Sequence, residues 1–78
     1  MEYLKDKDFI VAFGKNLQRI RKSKNFTQKD LANDIGVEIS QISRIERGVI
    51  NTSISVVNLI AKALEVDVYE LFKFEDHS

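Results

Sequence analysis

The sequence of 78 residues contains no cysteine, no proline and no tryptophan, and it has a single histidine, His77. Without cysteine there are no disulfides, no thiolate metal site and no thiol nucleophile, which suits a reducing cytoplasm. The absence of proline suits helices joined by short turns. His77 has neither a cluster of metal ligands nor a nucleophile to act with. We therefore expect a protein that is not an enzyme and has no metal or cofactor.

Long apolar runs are missing as well. The only apolar run near the N-terminus, residues 9–13, is too short for a secretory signal and follows two aspartates. No segment approaches the ~20 apolar residues of a transmembrane helix. With 44% hydrophobic and 31% charged residues, the composition is that of a compact soluble domain. We predict one cytoplasmic domain over residues 1–78, with its core at about 8–74 and no contact with a membrane.

Charge is balanced over the whole chain but not along it. Twelve Lys and Arg residues oppose twelve Asp and Glu residues, which argues against a general binder of polyanions. Residues 1–26 carry seven basic and three acidic side chains, whereas residues 51–78 carry two basic and five acidic ones. This asymmetry suits a protein with one face toward phosphates and the opposite end toward solvent or a partner. An ordinary solvated surface would also account for it.

The stretch of residues 27–48 predicts two short helices joined by a tight turn. Thr27 with Asp30 three residues later has the form of a capping box, which opens a helix over Gln28–Ile35. Gly36 follows the last apolar position of that helix. Glycine readily adopts the left-handed backbone conformation that ends helices, so the chain can turn at once into the next helix.

The second helix of this pair is expected over residues 39–47, closed by Gly48. Ala32 is small enough to let the two helices cross closely. A helical wheel separates a packing side from a polar side. The packing side holds Gln41, Ile42, Ile45 and Glu46, and the other side holds Ile39, Ser40, Ser43, Arg44 and Arg47.

Three further helices are predicted around this pair. The first runs from about residue 8 to 24, capped by Asp6 or Asp8, and we expect its Gly14 to allow close packing by a neighbour. The fourth runs from about residue 54 to 64 and is capped by Ser53. The predicted apolar stripes are Ile10, Phe13, Leu17 and Ile20 in the first helix, and Val57, Ile60, Ala61 and Leu64 in the fourth.

A short fifth helix is predicted over residues 68–73, capped by Asp67 with Glu70 three residues later. We expect it to cover a second apolar face of the fourth helix, made of Val56, Leu59 and Ala63. Its own apolar side chains are more numerous than a surface helix needs, so we expect part of them to contact a second subunit. That candidate dimer contact consists of Val68, Tyr69, Phe72 and Phe74.

Together these residues resemble the phage-repressor family of helix-turn-helix proteins, the Cro and xenobiotic-response-element type. The resemblance implies an all-α fold, a compact five-helix bundle like the lambda-repressor DNA-binding domain, with the helix-turn-helix at helices 2 and 3. It also implies a sequence-specific regulator of transcription that binds double-stranded DNA. The matching positions are Gln28, Ala32, Gly36, Val37, Ile42, Ile45, Glu46 and the following Arg-Gly.

The third helix is then the element that reads bases, because the major groove is about 12 Å wide and admits one α-helix. Arg44 is the strongest candidate, since its guanidinium matches the O6 and N7 acceptors of guanine. Ile39 either touches a thymine methyl or packs at the edge of the core. Glu38 departs from the family pattern and either accepts from cytosine N4 or repels a wrongly placed phosphate. The base-reading candidates are Ile39, Ser40, Ser43, Arg44 and Glu38.

Gln28 resembles the family glutamine that contacts a DNA phosphate at the positive end of a helix, although a solvated first-turn residue would look the same. In the family, an arginine at the position of Arg21 commonly pairs with the glutamate that matches Glu46. Such a pair would join the first helix to the reading helix, whereas the alternative is two unrelated surface charges. The phosphate-contact candidates are Thr27, Gln28, Lys29, Arg47 and Asn51.

A domain of this size buries only about 60% of its unfolded surface, so a second subunit would stabilise it. We therefore expect a homodimer on a two-fold operator, acting as a repressor or as an activator that touches RNA polymerase. Its small size resembles restriction-modification controllers and short phage or plasmid repressors. The alternative is an antitoxin-like module whose main partner is another protein. No small-molecule substrate is indicated.

Overall fold

A computed structural model describes residues 6–75, which form four α-helices followed by a short 3₁₀ helix. There is no strand in this part of the chain. No helix within it is long and apolar enough to cross a membrane. The elements are α1 (Lys7–Ser23), α2 (Gln28–Ile35), α3 (Ile39–Glu46), α4 (Ile54–Leu64) and the 3₁₀ helix (Val68–Phe72). The predicted all-α class is confirmed, and so are the bounds of α2 and α4.

The prediction of a fifth α-helix is wrong, because residues 68–72 form a 3₁₀ helix instead. The predicted cap is wrong as well: the Asp67 side chain makes no capping hydrogen bond, and its carbonyl accepts from the Glu70 N–H at 2.9 Å. A segment of five residues is too short for a stable run of α-helical hydrogen bonds, whereas 3₁₀ geometry is common in pieces of this length.

Local side-chain caps start three of the four α-helices. Asp6 accepts from a first-turn N–H of α1 at 3.4 Å, and Ser53 does the same for α4 at 3.1 Å. At α2 the capping box is complete: the Thr27 hydroxyl accepts from the Asp30 N–H at 3.0 Å, and the Asp30 carboxylate accepts from the Thr27 N–H at 2.9 Å. These short-range bonds explain why the helix starts follow from the sequence.

The apolar core lies where all the helices meet. Its members from α1 and α4 are those of the predicted stripes, with the exception of Ile10, which is only partly buried. The 3₁₀ helix contributes Leu71, which is fully buried. The core consists of Phe13, Leu17, Ile20, Leu31, Ala32, Ile42, Ile45, Val57, Ile60, Ala61, Leu64 and Leu71.

Helix α1 lies against the backbone of the last turn of α3. A Cβ atom on Gly14 would stand 2.5 Å from the Glu46 carbonyl oxygen and would overlap that of Ile45. The predicted close approach at Gly14 is therefore confirmed. Gly48, just past α3, has φ +71°, and a Cβ there would lie 2.7 Å from the Cα of Val11. Both glycines let α1 fix the end of α3.

Asn16 joins α1 to the 3₁₀ helix and was not predicted. Its side-chain nitrogen donates to the carbonyls of Leu71 at 2.9 Å and Glu70 at 3.0 Å, and its oxygen accepts from Arg19 at 2.7 Å. Asn16 is 5% exposed, so these bonds satisfy a polar group that would be costly to bury alone. They hold the C-terminal segment on the bundle.

The second apolar face of α4 is covered only in part. Val56 and Ala63 are partly buried against the core, but Leu59 remains 42% exposed. The expectation that the last helix covers this face is therefore wrong at Leu59. The 3₁₀ helix packs on both α1 and α4, and five residues are too few to extend over the whole face.

Candidate nucleic-acid interface

The turn between α2 and α3 is set by a few backbone contacts. Gly36 has φ +76°, and the N–H groups of Gly36 and Val37 both donate to the Ala32 carbonyl, at 2.9 and 3.0 Å. A Cβ on Gly36 would meet nothing within 4 Å, so the need for glycine here is conformational. Val37 packs partly buried against the core. The turn thereby fixes the direction in which α3 begins.

Helix α3 has one buried and one exposed side. Ile42, Ile45 and Glu46 are buried, as the periodicity predicts, and Gln41 beside them is partly buried. The opposite side exposes Ile39, Ser40, Arg44 and Arg47, with Ser43 partly buried between them. Ile39 is 44% exposed and so is not tucked into the core. This exposed surface is the one that the sequence assigns to base reading.

Two exposed charged side chains flank this surface in different ways. Glu38 is the N-cap residue of α3, but its side chain makes no capping hydrogen bond. At the other end, the Arg47 Nε donates to the Ser43 hydroxyl oxygen at 3.2 Å. This bond holds Ser43 as an acceptor, while its own hydroxyl hydrogen can still be donated. Arg44 is exposed and lies between these two ends.

Beneath α3, Arg21 and Glu46 form a buried ion pair with two parallel hydrogen bonds. The Arg21 Nε donates to Glu46 Oε2 at 2.6 Å, and Nη2 donates to Oε1 at 3.0 Å. The third nitrogen, Nη1, donates to the Phe26 carbonyl at 2.7 Å. The two side chains are 7% and 2% exposed. The guanidinium thus connects three parts of the chain, namely α1, α3 and the loop that precedes α2.

Gln28 belongs to the same network, which no sequence pattern indicated. Its Nε2 donates to Glu46 Oε1 at 3.0 Å, and the residue is partly buried. The interpretation of Gln28 as a freely solvated first-turn residue does not hold. The two residues are 18 positions apart in the chain, and only their places on facing helices bring them together.

The remaining phosphate-contact candidates are all exposed, and Thr27 is restricted by its capping role. The hydrogen bond from the Thr27 backbone N–H to its carboxylate lowers the pKa of Asp30, and the neighbouring Thr27 side chain lowers it further. Asp30 is therefore ionised at neutral pH and places a negative charge in the first turn of α2. That charge would repel a phosphate at this position. The positive charge of Lys29, in the same turn, offsets it. The exposed candidates are Thr27, Lys29, Arg47 and Asn51.

The candidate dimer residues fall into two groups. Val68 and Tyr69 are 40% and 60% exposed. Phe72 is 41% exposed, but its ring centroid lies 5.0 Å from that of Phe13. Phe74 is partly buried, with its ring 5.3 Å from Phe9. The two phenylalanines therefore stabilise the fold, whatever else they contact.

A further apolar side chain, missed by the sequence reasoning, stands at the start of α4. Ile54 is 87% exposed and borders an apolar groove of about 180 Å³. The helical pattern placed Ile54 at the first position of α4 but gave no signal of its exposure. No group of three or more His, Cys, Asp or Glu residues suited to a metal ion occurs within residues 6–75.

Short helices at this spacing, a tight glycine turn between them and a second helix with an exposed polar side define a helix-turn-helix domain. The chain belongs to the helix-turn-helix family, whose pattern matches residues 17–71. Control protein C.BamHI of Bacillus amyloliquefaciens is 40% identical over 65 residues, which are 82% of this chain and 80% of that protein.

A solved structure shows the same fold. The restriction-modification controller protein C.AhdI from Aeromonas hydrophila matches with a TM-score of 0.79 and 35% identity, covering 81% of this chain and 96% of that one. The HTH-type transcriptional regulator SlrR of Bacillus subtilis is 38% identical over 63 residues. These are 80% of this chain but only 41% of SlrR, so the chain spans about two fifths of that relative.

Proposed function

We propose that this chain is a transcriptional regulator that binds double-stranded DNA by sequence and reads the major groove with α3. The proposal rests on the contrast between the two sides of α3, one buried in the core and the other exposed. Ile42 and Ile45 anchor the helix in the core, while Ser40 and Arg44 are exposed beyond it. A helix held in this way can enter a groove without unfolding any part of the domain.

Each exposed side chain of α3 suits a particular base edge. Arg44 is suited to the two acceptors of guanine, and Ser40 can donate or accept. The exposure of Ile39 favours contact with a thymine methyl over packing at the core edge. Glu38, free of a capping role, is suited to accept from cytosine N4. The contacts to phosphate come from Thr27, Gln28, Lys29, Arg47 and Asn51, which set register rather than sequence preference.

The active form in this proposal is a homodimer on a two-fold operator. One reading helix covers only a few base pairs, whereas two placed about 34 Å apart enter successive major grooves on one face of the duplex. The exposed Val68 and Tyr69, together with Phe72 and Phe74, form the subunit contact. The acidic C-terminal third of the sequence then lies at this contact and the basic N-terminal third nearer the DNA.

The similarity to two control proteins supports a regulatory subtype. C.BamHI and C.AhdI are matched over 80% and 96% of their lengths, so this chain is similar to most of each. We assign this chain a similar role in the cytoplasm, as a controller or a phage-type repressor rather than an enzyme. Activation through contact with RNA polymerase is compatible with the same architecture.

The proposal is tested by selecting bound duplexes from random DNA. We expect an enriched two-fold motif whose half-sites are about 10 base pairs apart, centre to centre. An enriched motif with a single half-site would support sequence-specific DNA binding but contradict the dimer. Absence of any enriched motif would overturn the DNA-binding function and favour the antitoxin-like alternative, in which a protein partner is the main ligand.

The dimer contact is tested separately by sedimentation. We expect Val68→Ser combined with Tyr69→Ser to give a folded monomer that binds half-sites weakly, because both residues are exposed within one chain, at 40% and 60%. Phe74→Ser is the comparison variant. Its ring packs on Phe9, so it should lower the stability of the fold as well. A Val68 and Tyr69 variant that remains a dimer at micromolar concentration would place the contact elsewhere.

A further inference from the structure

The carboxylate of Glu46 accepts three hydrogen bonds from two residues. Arg21 supplies two of them, at 2.6 and 3.0 Å, and the Gln28 Nε2 supplies the third, at 3.0 Å. An ionised carboxylate can only accept, so the Gln28 amide must turn its nitrogen toward Glu46 and its oxygen away. The amide is therefore held in one of its two orientations. One hydrogen on that nitrogen remains to be donated.

We propose that Glu46 is a positioning residue for DNA binding, which holds the Gln28 amide so that its remaining N–H donates to a backbone phosphate. This inference rests on the proposed DNA-binding function. Gln28 is the first residue of α2, where unpaired backbone N–H groups and the helix dipole favour an anion. If the amide were reversed, its oxygen would face the Glu46 carboxylate, and two acceptors would repel each other.

The charge of Arg21 is part of the same arrangement. An unpaired carboxylate in contact with Gln28 would repel a phosphate bound by the second hydrogen of the same amide nitrogen. Arg21 neutralises the carboxylate through two hydrogen bonds, and both side chains are almost completely buried, so solvent screens the pair little. The ion pair thus serves the DNA contact in addition to joining α1 to α3.

The test is a double-mutant cycle on DNA affinity, using Gln28→Met and Glu46→Gln on the selected duplex. We expect Gln28→Met to weaken binding by about tenfold or more in the wild-type background, as for a lost hydrogen bond to a charged group. In the Glu46→Gln background the further loss should be below roughly threefold, because one acceptor oxygen shared with Arg21 and a donor NH2 group no longer hold the Gln28 amide in one orientation. Equal losses in both backgrounds would overturn the positioning role.

Lys29→Met is the matched control, because Lys29 is exposed in the same turn and lies next to Gln28. Lys29→Met should cause the same loss of DNA affinity with Glu46 as with Glu46→Gln. It should also reduce the slope of log affinity against log salt by about 0.9, because a cation that contacts phosphate displaces a counterion. Gln28→Met should leave that slope unchanged, because its amide is neutral. A changed slope would contradict the contact proposed for Gln28.

Nuclear magnetic resonance of the wild type gives a second test that does not need Glu46→Gln to fold. The two Nε2 protons of Gln28 should be resolved, one of them shifted by its bond to Glu46. Adding the selected duplex should shift the other proton and leave the first in place. A shift of the Glu46-facing proton, or of neither, would overturn the proposal while DNA binding stands. Failure of the wild type to bind any duplex would overturn both.

Discussion

Helix α1 is fixed to the rest of the molecule by two buried polar side chains of different kinds. Arg21, near its end, is charged and pairs with Glu46 of α3. Asn16 is neutral and donates to the backbone carbonyls of Glu70 and Leu71. The charged anchor lies beneath the exposed side of α3, and the neutral one holds the segment with the exposed apolar side chains. The two ends of the molecule therefore differ in how much a single side-chain deletion should cost.

The largest expected effect is at the charged anchor. Arg21→Met should lower the free energy of unfolding by roughly 3 kcal/mol, because Glu46 would keep a buried charge without its partner. Arg21→Met combined with Glu46→Met should lose less than the sum of the two single changes. Urea denaturation measures all three variants. Strict additivity would show that the two side chains act independently, against the geometry of the pair.

At the neutral anchor the expected effect is smaller. Asn16→Ala should cost about 2 kcal/mol of unfolding free energy, because it removes the side-chain donor to the Leu71 carbonyl and leaves the Glu70 carbonyl with the Lys73 N–H alone. Asn58→Ala is the control, since Asn58 is an exposed asparagine of α4, and surface changes of this kind stay within about 0.5 kcal/mol. Similar costs for the two variants in thermal unfolding would show that the bonds of Asn16 contribute nothing.

Asn16→Ala should also separate the two ends functionally. The binding of a single DNA half-site should be unchanged, because α2 and α3 are anchored through Arg21 rather than Asn16. Dimerisation should weaken, since the 3₁₀ helix would be held less firmly. An equal loss of half-site affinity and dimer stability would indicate that the two ends are coupled through α1.

The reading surface itself should affect binding without affecting stability. Arg44→Ala should cost roughly 1–3 kcal/mol on the best operator and much less on random DNA. Arg47→Ala should weaken both kinds of DNA alike, as expected of a phosphate contact. Titration of labelled duplexes measures, for each variant, the ratio of its affinity for the best operator to its affinity for random DNA. If Arg44→Ala weakens both kinds of DNA equally, Arg44 holds phosphate and the base contact lies elsewhere on α3.

The smallest expected effect concerns the ends of the neighbouring helices. Helix α2 stops at Gly36, whereas α4 stops at Glu65, which adopts the left-handed conformation with φ +59° despite its side chain. Glu65→Gly should therefore raise the free energy of unfolding by up to about 1 kcal/mol. Glu65→Ala keeps the Cβ and should give no such gain. An equal gain from both would assign the effect to the charge rather than to the backbone.

The parts of the fold that follow from the sequence are those fixed by local contacts. Thr27 and Ser53 cap helices through residues three positions away, so their patterns define where α2 and α4 begin. The two sides of α3 follow from its 3.6-residue period. The exposure of Ile39, Ser40 and Arg44 could be predicted for the same reason, because exposure on a short helix depends mainly on which residues face the core. Their role in DNA binding stays a prediction.

The parts that escaped prediction depend on residues far apart in the chain. Asn16 donates to carbonyls 54 and 55 positions away, and these long-range hydrogen bonds are made to the 3₁₀ helix. Gln28 and Glu46 are both positions of the family motif, but nothing in their spacing predicts the hydrogen bond between them. The apolar pattern of the last segment did not distinguish Phe74, which packs on Phe9, from the exposed Tyr69.

The contact of α1 with the backbone of α3 at Gly14 has a consequence for changing DNA preference by protein engineering. Because α3 contacts α1 through its backbone and the core through its buried side, we expect its orientation to be independent of the side chains that it exposes. Exchanging the exposed set for that of a relative should therefore transfer the relative's operator preference as a unit. Retargeting would require five substitutions and no repacking of the core. The exchanged positions are Glu38, Ile39, Ser40, Ser43 and Arg44.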